Sequence, residues 1–417
     1  MKTKIFFYKL LLLNIFFSIT SFGADLFVYP NAQSPDYGDI QSAINAASNG
    51  DNIYIDTASF IGNVNIDKTL YFYPLHKGGM YTINGALSLT LANNRTIYIQ
   101  GLNGGGVNSY FNGNISDSAT VILNGCEFSS AVDLNNGYSI RSFIYYSFFN
   151  DQLYVDACEL IGNTFNGRVY ITPNEYTNNP YPPSIKIYAN NFKSSNNTAL
   201  QMNSTSSSNI HIANNYFNEP FTSTYNIYIN GSSSYPSDKI IIENNIFYND
   251  TYYSSQYHVL VNYADFLFIR NNYFSVGSSG GSSYYKGVST SGVDIHDFQY
   301  NFTNWNSNYF STGGGNIQTI ANNTYNTTLF FNTSQQNSLG IVSSTAGINV
   351  GSTLPECRDI NNTQNDIGTY GGPHSWSNYH NSSSSKAQIL DLEIPYYQIV
   401  LPGTQIQFKS KAIHKNN

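Results

Sequence analysis

Charged side chains are scarce in this 417-residue sequence. Only 10% of the residues are Asp, Glu, Lys or Arg, and 18 cations face 25 anions, which leaves a net charge of −7. Proteins that bind nucleic acids need a cationic surplus to pair with the phosphate backbone. The composition therefore argues against nucleic acid as a partner.

Cysteine is also scarce, with single residues at positions 126, 158 and 357. Three thiols cannot build the disulfide framework on which many small exported domains depend. The repeat described below puts Cys158 among inward-facing strand residues and Cys126 at a turn. We therefore predict no bond between these two.

Long apolar runs are missing beyond the N-terminus. Residues 1–23 are organised like a secretory signal, because Lys2 and Lys4 precede the apolar residues 10–19 and Ser21 and Gly23 supply small side chains at the cleavage site. A membrane anchor is the alternative, and it needs ~20 apolar residues. We predict a signal peptide over residues 1–23 and a mature chain without a membrane span, secreted or held at the cell surface.

One short phrase returns between residues 158 and 274, and the aromatic residues that close it are 25 to 30 positions apart. The phrases are Gly162-Asn163-Thr164-Phe165, Asn190-Asn191-Phe192, Asn214-Asn215-Tyr216-Phe217, Asn244-Asn245-Ile246-Phe247 and Asn271-Asn272-Tyr273-Phe274. A period of this size with a variable remainder is typical of a solenoid whose insertions fall in loops.

Each period also contains two segments that alternate apolar and polar residues, as strands do. One precedes the phrase, as in Ile210-His211-Ile212, and the other follows it, as in Ile227-Tyr228-Ile229. Asparagine suits the turn because it tolerates a left-handed backbone and its amide can bond the same group one coil away. The sequence thus predicts one internal Phe stack, one asparagine ladder, and contact between Glu243 and Arg270 as an isolated pair on neighbouring coils.

These coils resemble the right-handed parallel β-helix repeat proteins of the pectate-lyase-like superfamily, in which asparagines stack in a turn and aromatic residues stack inside. The resemblance covers residues 24–376 and implies an all-β fold that hosts many activities. Residues 377–417 are predicted to form a linker and a hairpin-like β tail around Pro402-Gly403.

The N-terminal part predicts a short helix that closes the open end of the solenoid. Asp39 is a good N-cap, and Ile40, Ala43, Ile44 and Ala47 share one helical face. Such a cap covers apolar side chains that the first coil would otherwise expose.

Two groups of titratable residues are candidates for catalysis. Aligned coils put Glu159, Lys186 and His211 at equivalent outward positions, and strand alternation puts Asp294 and His296 on one face beside Asp297. A carboxylate next to an imidazole or an amine can transfer protons or hold a metal. Outward charges that merely pair along a sheet are the alternative for the first group. A strand surface and a turn aspartate are the alternative for the second.

The resemblance implies a sharper chemistry that this sequence lacks. Lyases of the superfamily use a Lys or Arg base beside carboxylates that hold calcium, and its hydrolases use neighbouring aspartates. No Asp-Asp, Asn-Thr-Asp or Arg-Ile-Lys segment occurs here. Catalysis stays undecided, and an enzyme would be a polysaccharide lyase or a glycoside hydrolase.

Tyrosines in the insertions are candidates for carbohydrate contact. Tyr176, Tyr181, Tyr235, Tyr252 and Tyr253 fall in loops between strands. A tyrosine offers a flat apolar ring and a hydroxyl, which suit a sugar ring and its edge. The alternative is that some of the 36 tyrosines must fall in loops anyway.

The C-terminal segment Asp359 to Pro373 is similar to a closing motif of exported β-helix proteins, an Asp-rich run before Gly-x-Tyr-Gly-Gly. Its oxygen-bearing residues Asp359, Asn361, Thr363 and Asp366 alternate in a way that could bind Ca²⁺. Asn361 and Asn362 replace an Asp and a Gly of the pattern, so a turn without metal is the alternative, and no cofactor is required.

Two classes of function follow. The first is an exported, monomeric protein that binds or processes a polysaccharide or surface glycan along a Tyr-lined face of the solenoid. The second is a cell-surface adhesin or structural rod without catalysis.

Overall fold

The computed structural model describes residues 23–30, 32, 35–112, 118–135, 140–173, 184–193, 198–203, 208–218, 225–234, 236–249, 257–276, 287–304, 310–313, 317–325, 347–359, 361–379, 387–393 and 409–414. The predicted loop tyrosines Tyr176, Tyr181, Tyr235, Tyr252 and Tyr253 lie outside the described residues.

Most described residues belong to short strands that recur along the chain. The first half contains β1 (Asp25–Val28), β2 (Asp51–Ile55), β3 (Ser59–Ile61), β4 (Val64–Ile66), β5 (Leu70–Pro74), β6 (Tyr81–Asn84), β7 (Leu87–Leu91), β8 (Thr96–Gln100), β9 (Leu102–Gly104), β10 (Val107–Phe111), β11 (Ala119–Asn124), β12 (Glu127–Phe128), β13 (Val132–Asp133), β14 (Ile140–Tyr145), β15 (Phe148–Phe149), β16 (Leu153–Val155), β17 (Ala157–Ile161), β18 (Thr164–Phe165) and β19 (Val169–Ile171).

The second half continues the same succession. It contains β20 (Ser184–Tyr188), β21 (Asn191–Phe192), β22 (Leu200–Asn203), β23 (Asn209–Ala213), β24 (Tyr216–Asn218), β25 (Tyr225–Asn230), β26 (Ser237–Glu243), β27 (Ile246–Asn249), β28 (Tyr257–Arg270), β29 (Tyr273–Val276), β30 (Val288–Gln299), β31 (Phe302–Thr303), β32 (Phe310–Gly313), β33 (Ile317–Ala321), β34 (Ala387–Glu393) and β35 (Lys409–His414).

All strands but the last two stack in parallel and form three sheets, so the chain is a parallel β-helix as predicted. Sheet A runs from β1 through β2, β5, β8, β11, β14, β17, β20, β23 and β26 to β33, and sheet B runs from β4 through β7, β10, β13, β16, β19, β22 and β25 to β32. Sheet C contains the short strands β3, β6, β9, β12, β15, β18, β21, β24, β27, β29 and β31. The long strands β28 and β30 bend between sheets B and A and contribute to both.

The predicted Phe stack lies inside sheet C. Rings of Phe165, Phe192, Phe217, Phe247 and Phe274 follow one another at 4.6 to 5.1 Å between centroids. The stack also extends back through two phenylalanines of the earlier coils, at positions 149 and 128. In-register parallel pairing places equivalent residues of successive coils in contact, which is why one aromatic residue per period becomes a continuous column.

The predicted asparagine ladder fills the turn between sheets A and C. The amide of each asparagine donates to the side-chain oxygen of the next one, at 3.0 Å each time. Its members are Asn163, Asn190, Asn215, Asn245, Asn272, Asn301 and Asn323. Ser147 continues the column upstream to the backbone of Cys126, so Cys126 takes the turn position that was predicted for it. Cys126 and Cys158 are both buried and free.

The left-handed backbone belongs to a different residue from the ladder amide, which corrects our expectation that one asparagine does both. Asn214, Asn244 and Asn271 have φ near +57°, +55° and +58°, and each precedes a ladder asparagine. Their side chains point out of the turn rather than along it, and we call these three residues the outer Asn row.

The predicted N-terminal cap is the helix α1 (Ile40–Ala46). The Asp39 carboxylate accepts from the Ser42 backbone N–H at 2.8 Å, and the apolar face of the helix is buried on the first coil. At the other end of the helix the Lys68 ammonium donates to the carbonyls of Ile44, Asn45 and Ala47. These bonds satisfy carbonyl groups that a helix leaves without intrahelical partners.

Residues 347–379 contain no strand among those that the structure describes, and the predicted end of the β-helix at residue 376 stays a prediction. Residues 347–359 and 361–379, which we call the strap, run along the outside of the corner between sheets A and C and include a 3-10 turn (Pro355–Cys357) and α2 (Trp376–Tyr379). Strands β34 and β35 pair antiparallel, which is the predicted hairpin. Within the described ranges no helix is long and apolar enough to cross a membrane.

Candidate functional site

The outer Asn row fastens the strap to three successive coils. The Asn214 amide donates to the carbonyls of Thr369 and Gly371 at 3.0 and 2.6 Å. The Asn244 amide donates to the Asn365 side chain at 2.8 Å and to the Asp366 carbonyl at 2.7 Å.

On the third coil the Ser352 backbone N–H donates to the Asn271 side chain at 2.7 Å, and Gly368 N–H donates to the Asn271 carbonyl. The asparagines therefore recognise the strap mainly through its backbone.

Aromatic and aliphatic side chains seal the same interface. Tyr216, Ile246 and Tyr273 on the outer side of sheet C are buried together with Ile367 and Trp376 of the strap. Covering this apolar patch removes it from water, which is the main favourable term for docking the strap.

A buried charged cluster lies beside the patch, where sheet A ends. The Glu243 carboxylate accepts from Nε2 of His211 at 2.8 Å, and Nδ1 of His211 lies 2.8 Å from the Tyr188 hydroxyl. The His374 ring of the strap stacks on Tyr188 at 4.2 Å. Side chains of His211 and Glu243 are only 23% and 12% exposed, so solvent reaches this group poorly.

Glu243 and Arg270 are in register on neighbouring coils, as predicted, but the details differ. Nε of Arg270 is 4.0 Å from the carboxylate, which is a charge contact and not a hydrogen bond. The pair is not isolated, because Ala213 occupies the preceding coil and its small side chain leaves room for His211 to reach Glu243. Neither side chain of the pair is exposed. The Arg270 guanidinium also donates to the Cys357 thiol at 3.5 Å.

The surroundings of Glu243 and Cys357 shift the pKa values of both groups away from neutrality. Burial acts to raise the pKa of Glu243, but the hydrogen bond and the charge of His211, followed by the charge of Arg270, lower that pKa to about 2. Burial, and then the Glu243 carboxylate, raise the pKa of the Cys357 thiol to about 11. Glu243 and Cys357, whose pKa values lie this far from neutrality, exchange no proton at neutral pH and are unsuited to general acid–base catalysis.

The predicted column of Glu159, Lys186 and His211 exists in register on three adjacent strands of sheet A. Two of these side chains form hydrogen bonds with residues outside the column. Glu159 accepts from the Tyr145 hydroxyl at 3.1 Å, and His211 is committed to Glu243 and Tyr188.

The prediction that Asp294 and His296 share a face is wrong. Asp294 is exposed, whereas His296 points into the core and bonds Thr290 at 2.8 Å. The alternation breaks between the two residues, because Asp294 and Ile295 both reach solvent where β30 passes from sheet B to sheet A, so His296 falls on the inward side. Asp297 faces outward and accepts from Gln299 at 2.6 Å.

The four predicted calcium ligands lie in the strap and bond one another. Asp359 accepts from the Gly372 backbone N–H at 2.6 Å and from the Thr363 hydroxyl at 3.2 Å, while the Asn361 side-chain oxygen accepts from the same hydroxyl at 2.6 Å. Asp366 accepts from the Asn349 backbone N–H at 2.7 Å. Burial, with the charge of Asp359, raises the pKa of Asp366, and the bond from Asn349 acts in the opposite direction.

These bonds already hold the turn, which favours the form without metal. In the part of the chain that the structure describes, no three His, Cys, Asp or Glu side chains are placed to hold a metal ion. The Ca²⁺ site stays a prediction.

Sheet B presents an outward row that sequence analysis missed. Its members are in register from coil to coil and reach solvent: Asn65, Ser88, Asn108, Asp133, Tyr154, Tyr170, Gln201, Tyr228, Leu260, Ser289 and Ser311. We call them the sheet B row. The signal was present in the central residues of the second strand of each period, such as Tyr154, Tyr170 and Tyr228.

Tyrosines organise the middle of this row. The rings of Tyr154 and Tyr170 stack at 4.8 Å with 3° between their planes, and the Arg168 guanidinium lies 4.9 Å from the centre of the Tyr170 ring. Ring faces are thereby used inside the stack. The Tyr154 hydroxyl donates to the Gln152 side-chain oxygen and the Tyr170 hydroxyl accepts from Arg168, and a hydroxyl with one such bond can still form another with a ligand. Tyr225 stacks on Tyr228 at 5.4 Å further along.

An amide row flanks the tyrosines one step further along the strands. Asn203, Asn230 and Asn262 are in register, and the Asn262 amide donates to Asn230 at 3.1 Å. Hydroxyls, aromatic edges and amides therefore lie side by side on one open face.

Comparisons with protein-family models, with curated protein sequences and with solved structures found no match to this chain.

Proposed function

We propose that this chain is an exported parallel β-helix protein of the pectate-lyase-like type that binds a polysaccharide along the outer face of sheet B. The observation that carries the proposal is the stacked pair Tyr154 and Tyr170 beside the amide row of Asn203, Asn230 and Asn262. No reaction is assigned, because the titratable cluster at Glu243 is buried and committed to internal bonds.

The physical fit is between repeating groups. Coils of a β-helix succeed one another at ~4.8 Å, so the sheet B row offers equivalent donors and acceptors at short regular steps. Tyrosine hydroxyls and asparagine amides both donate and accept, as sugar hydroxyls do. An extended polymer can therefore make several equivalent weak contacts at once, and their combined effect gives useful affinity.

The test is a glycan array followed by titration of the glycans that bind. The double variant Tyr154→Ala/Tyr170→Ala should lose about tenfold in affinity, which corresponds to ~1.4 kcal/mol and is within reach of two aromatic contacts.

The matched control is Tyr54→Ala/Tyr73→Ala, which removes another solvent-facing stacked pair, at 5.5 Å, from sheet A. Equal losses in both double variants would show that sheet B is not the binding face, and a mature chain that binds no glycan would refute the proposal.

A second candidate is a non-catalytic surface adhesin or structural rod. The strap favours this second candidate, because the side chains of Asn214, Asn244 and Asn271 bond the strap to the coils. Beads coated with the mature chain should then adhere to cells equally well before and after enzymatic removal of surface glycans. A loss of adhesion after that treatment would count against this candidate and for glycan binding.

A further inference from the structure

We propose that the polysaccharide on the sheet B row is uncharged, and not a uronic-acid or sulfated polymer. This inference rests on the proposed function, since it names the class of polymer bound at the same face.

Charge is nearly absent from the row itself. Of its eleven positions in register, ten are Asn, Ser, Tyr, Gln or Leu, and the single charged member is an acid, Asp133. The equivalent outward column of sheet A carries Glu159, Lys186, His211 and Asp297. The two faces thus differ in chemistry although the same coils build them.

The cation nearest the tyrosines is already engaged. The Arg168 guanidinium lies over the Tyr170 ring, donates to the Tyr170 hydroxyl, and bonds the Gln201 side chain at 3.3 Å. An anionic polymer would have to draw it away from these partners.

The remaining electrostatics also disfavour an anionic polymer. Such a polymer brings negative charge with each repeat, and the chain as a whole carries −7. Like charges raise the free energy of association and slow the encounter. Amides and hydroxyls, in contrast, form their hydrogen bonds with neutral sugar hydroxyls at no such cost.

The experiment compares soluble neutral polymers (xylan, glucomannan and mixed-linkage β-glucan) with anionic ones (polygalacturonate, alginate and a sulfated glycan) by affinity electrophoresis of the mature chain. We expect retardation by at least one neutral polymer and by no anionic polymer. Retardation should change by less than about twofold between low and high salt, because screening affects only charged partners.

A charge variant makes the inference sharper. Asp133→Asn removes the one carboxylate of the row, so an anionic ligand would bind this variant more tightly than the wild type, whereas a neutral polymer gains nothing from the loss of the charge. Asp297→Asn, which removes the same charge from the sheet A column, is the matched control.

The outcomes separate this inference from the proposed function. Binding of an anionic polymer that is lost in Tyr154→Ala/Tyr170→Ala would overturn the uncharged class and leave the binding face standing. Tighter binding by Asp133→Asn alone would overturn it as well. A mature chain that no polymer retards would refute the proposed function and this inference together.

Discussion

The corner under the strap and the outer face of sheet B are built by the same coils, yet they use their side chains in opposite ways. At the corner, Glu243 is buried, the Arg270 side chain is only 13% exposed, and the side chains of the outer Asn row bond the strap. On sheet B, Tyr154 and Tyr170 stay in contact with solvent and no described segment covers them.

The difference separates a region that stabilises the fold from a face that stays in contact with solvent. Glu243 and Cys357 are buried where the strap lies on the coils and have shifted pKa values, and the predicted catalytic candidate His211 bonds Glu243. The sheet B row consists of uncharged side chains with the exception of Asp133, and such side chains carry no catalytic signal. Perturbed pKa values occur in structural ion networks as well as in active sites. A group that acts on a substrate must also be accessible to that substrate.

The largest effect is expected in the interior that both regions share. Phe217→Ala removes a fully buried ring that stacks on Phe192 at 4.6 Å and on Phe247 at 4.9 Å, and should lower the free energy of unfolding by about 3–5 kcal/mol. Chemical denaturation measures it. A loss below about 1 kcal/mol would mean that the interior is not a common support for the two faces.

The next effect concerns the charge under the strap. The folded pKa of Glu243 lies at about 2, because the bond from His211 outweighs burial, whereas an unfolded glutamate titrates near pH 4.3. A depressed pKa stabilises the fold above the unfolded value, and this contribution disappears as the pH falls through about 2.

Glu243→Gln should therefore cost about 3 kcal/mol at pH 6, and the gap between variant and wild type should close as the pH falls from about 4.5 to 2. Denaturation series at several pH values measure the gap. A gap that stays constant with pH would show that the carboxylate charge does not fasten the corner.

Much of the fold could be predicted because it repeats. The Phe stack, the asparagine ladder and the register of Glu243 with Arg270 are properties of the period, and in-register stacking turns each of them into a contact. The cap was equally accessible, since Asp39 and the apolar face of α1 are local signals.

The candidate site could not be predicted in the same way. Asn214 and Asn244 bond strap residues 155 and 121 positions away, and no period relates the two segments. His211 reaches Glu243 diagonally because Ala213 is small, which a column-by-column alignment does not show. Asp294 and His296 point to different sides because Asp294 and Ile295 both reach solvent where β30 passes from sheet B to sheet A, and strict alternation cannot be carried across that corner.

A smaller effect tests the outer Asn row. Asn244→Ala removes three hydrogen bonds that the Asn244 amide donates to oxygens of the strap, and each such bond contributes ~0.5–1.5 kcal/mol. Asn322→Ala is the matched control, because Asn322 has the same φ of +55° but is exposed, and among the residues that the structure describes its side chain bonds Gln299 alone, at 3.5 Å.

Since both variants place alanine in the left-handed region, their difference isolates the strap, and we expect Asn244→Ala to be the less stable by about 2 kcal/mol. Amide hydrogen exchange of the strap should accelerate only in Asn244→Ala. Equal exchange in both variants would contradict a fastening role for the row.

The smallest effect on stability is expected on the open face, and it completes the contrast. Tyr154→Ala removes a ring that contacts Tyr170 but fills no cavity, so the cost should be about 0.5–1.5 kcal/mol, the range for an aromatic pair. Tyr154→Phe keeps the stacked ring but removes the hydroxyl and its hydrogen bond to Gln152, so thermal stability should fall by less than in Tyr154→Ala. Because ring faces are occupied within the stack, a bound glycan must depend on hydroxyls and edges, so Tyr154→Phe should still weaken glycan binding. If Tyr154→Phe binds as wild type while Tyr154→Ala does not, the row would act through its apolar rings, and the hydroxyls would have no part in recognition.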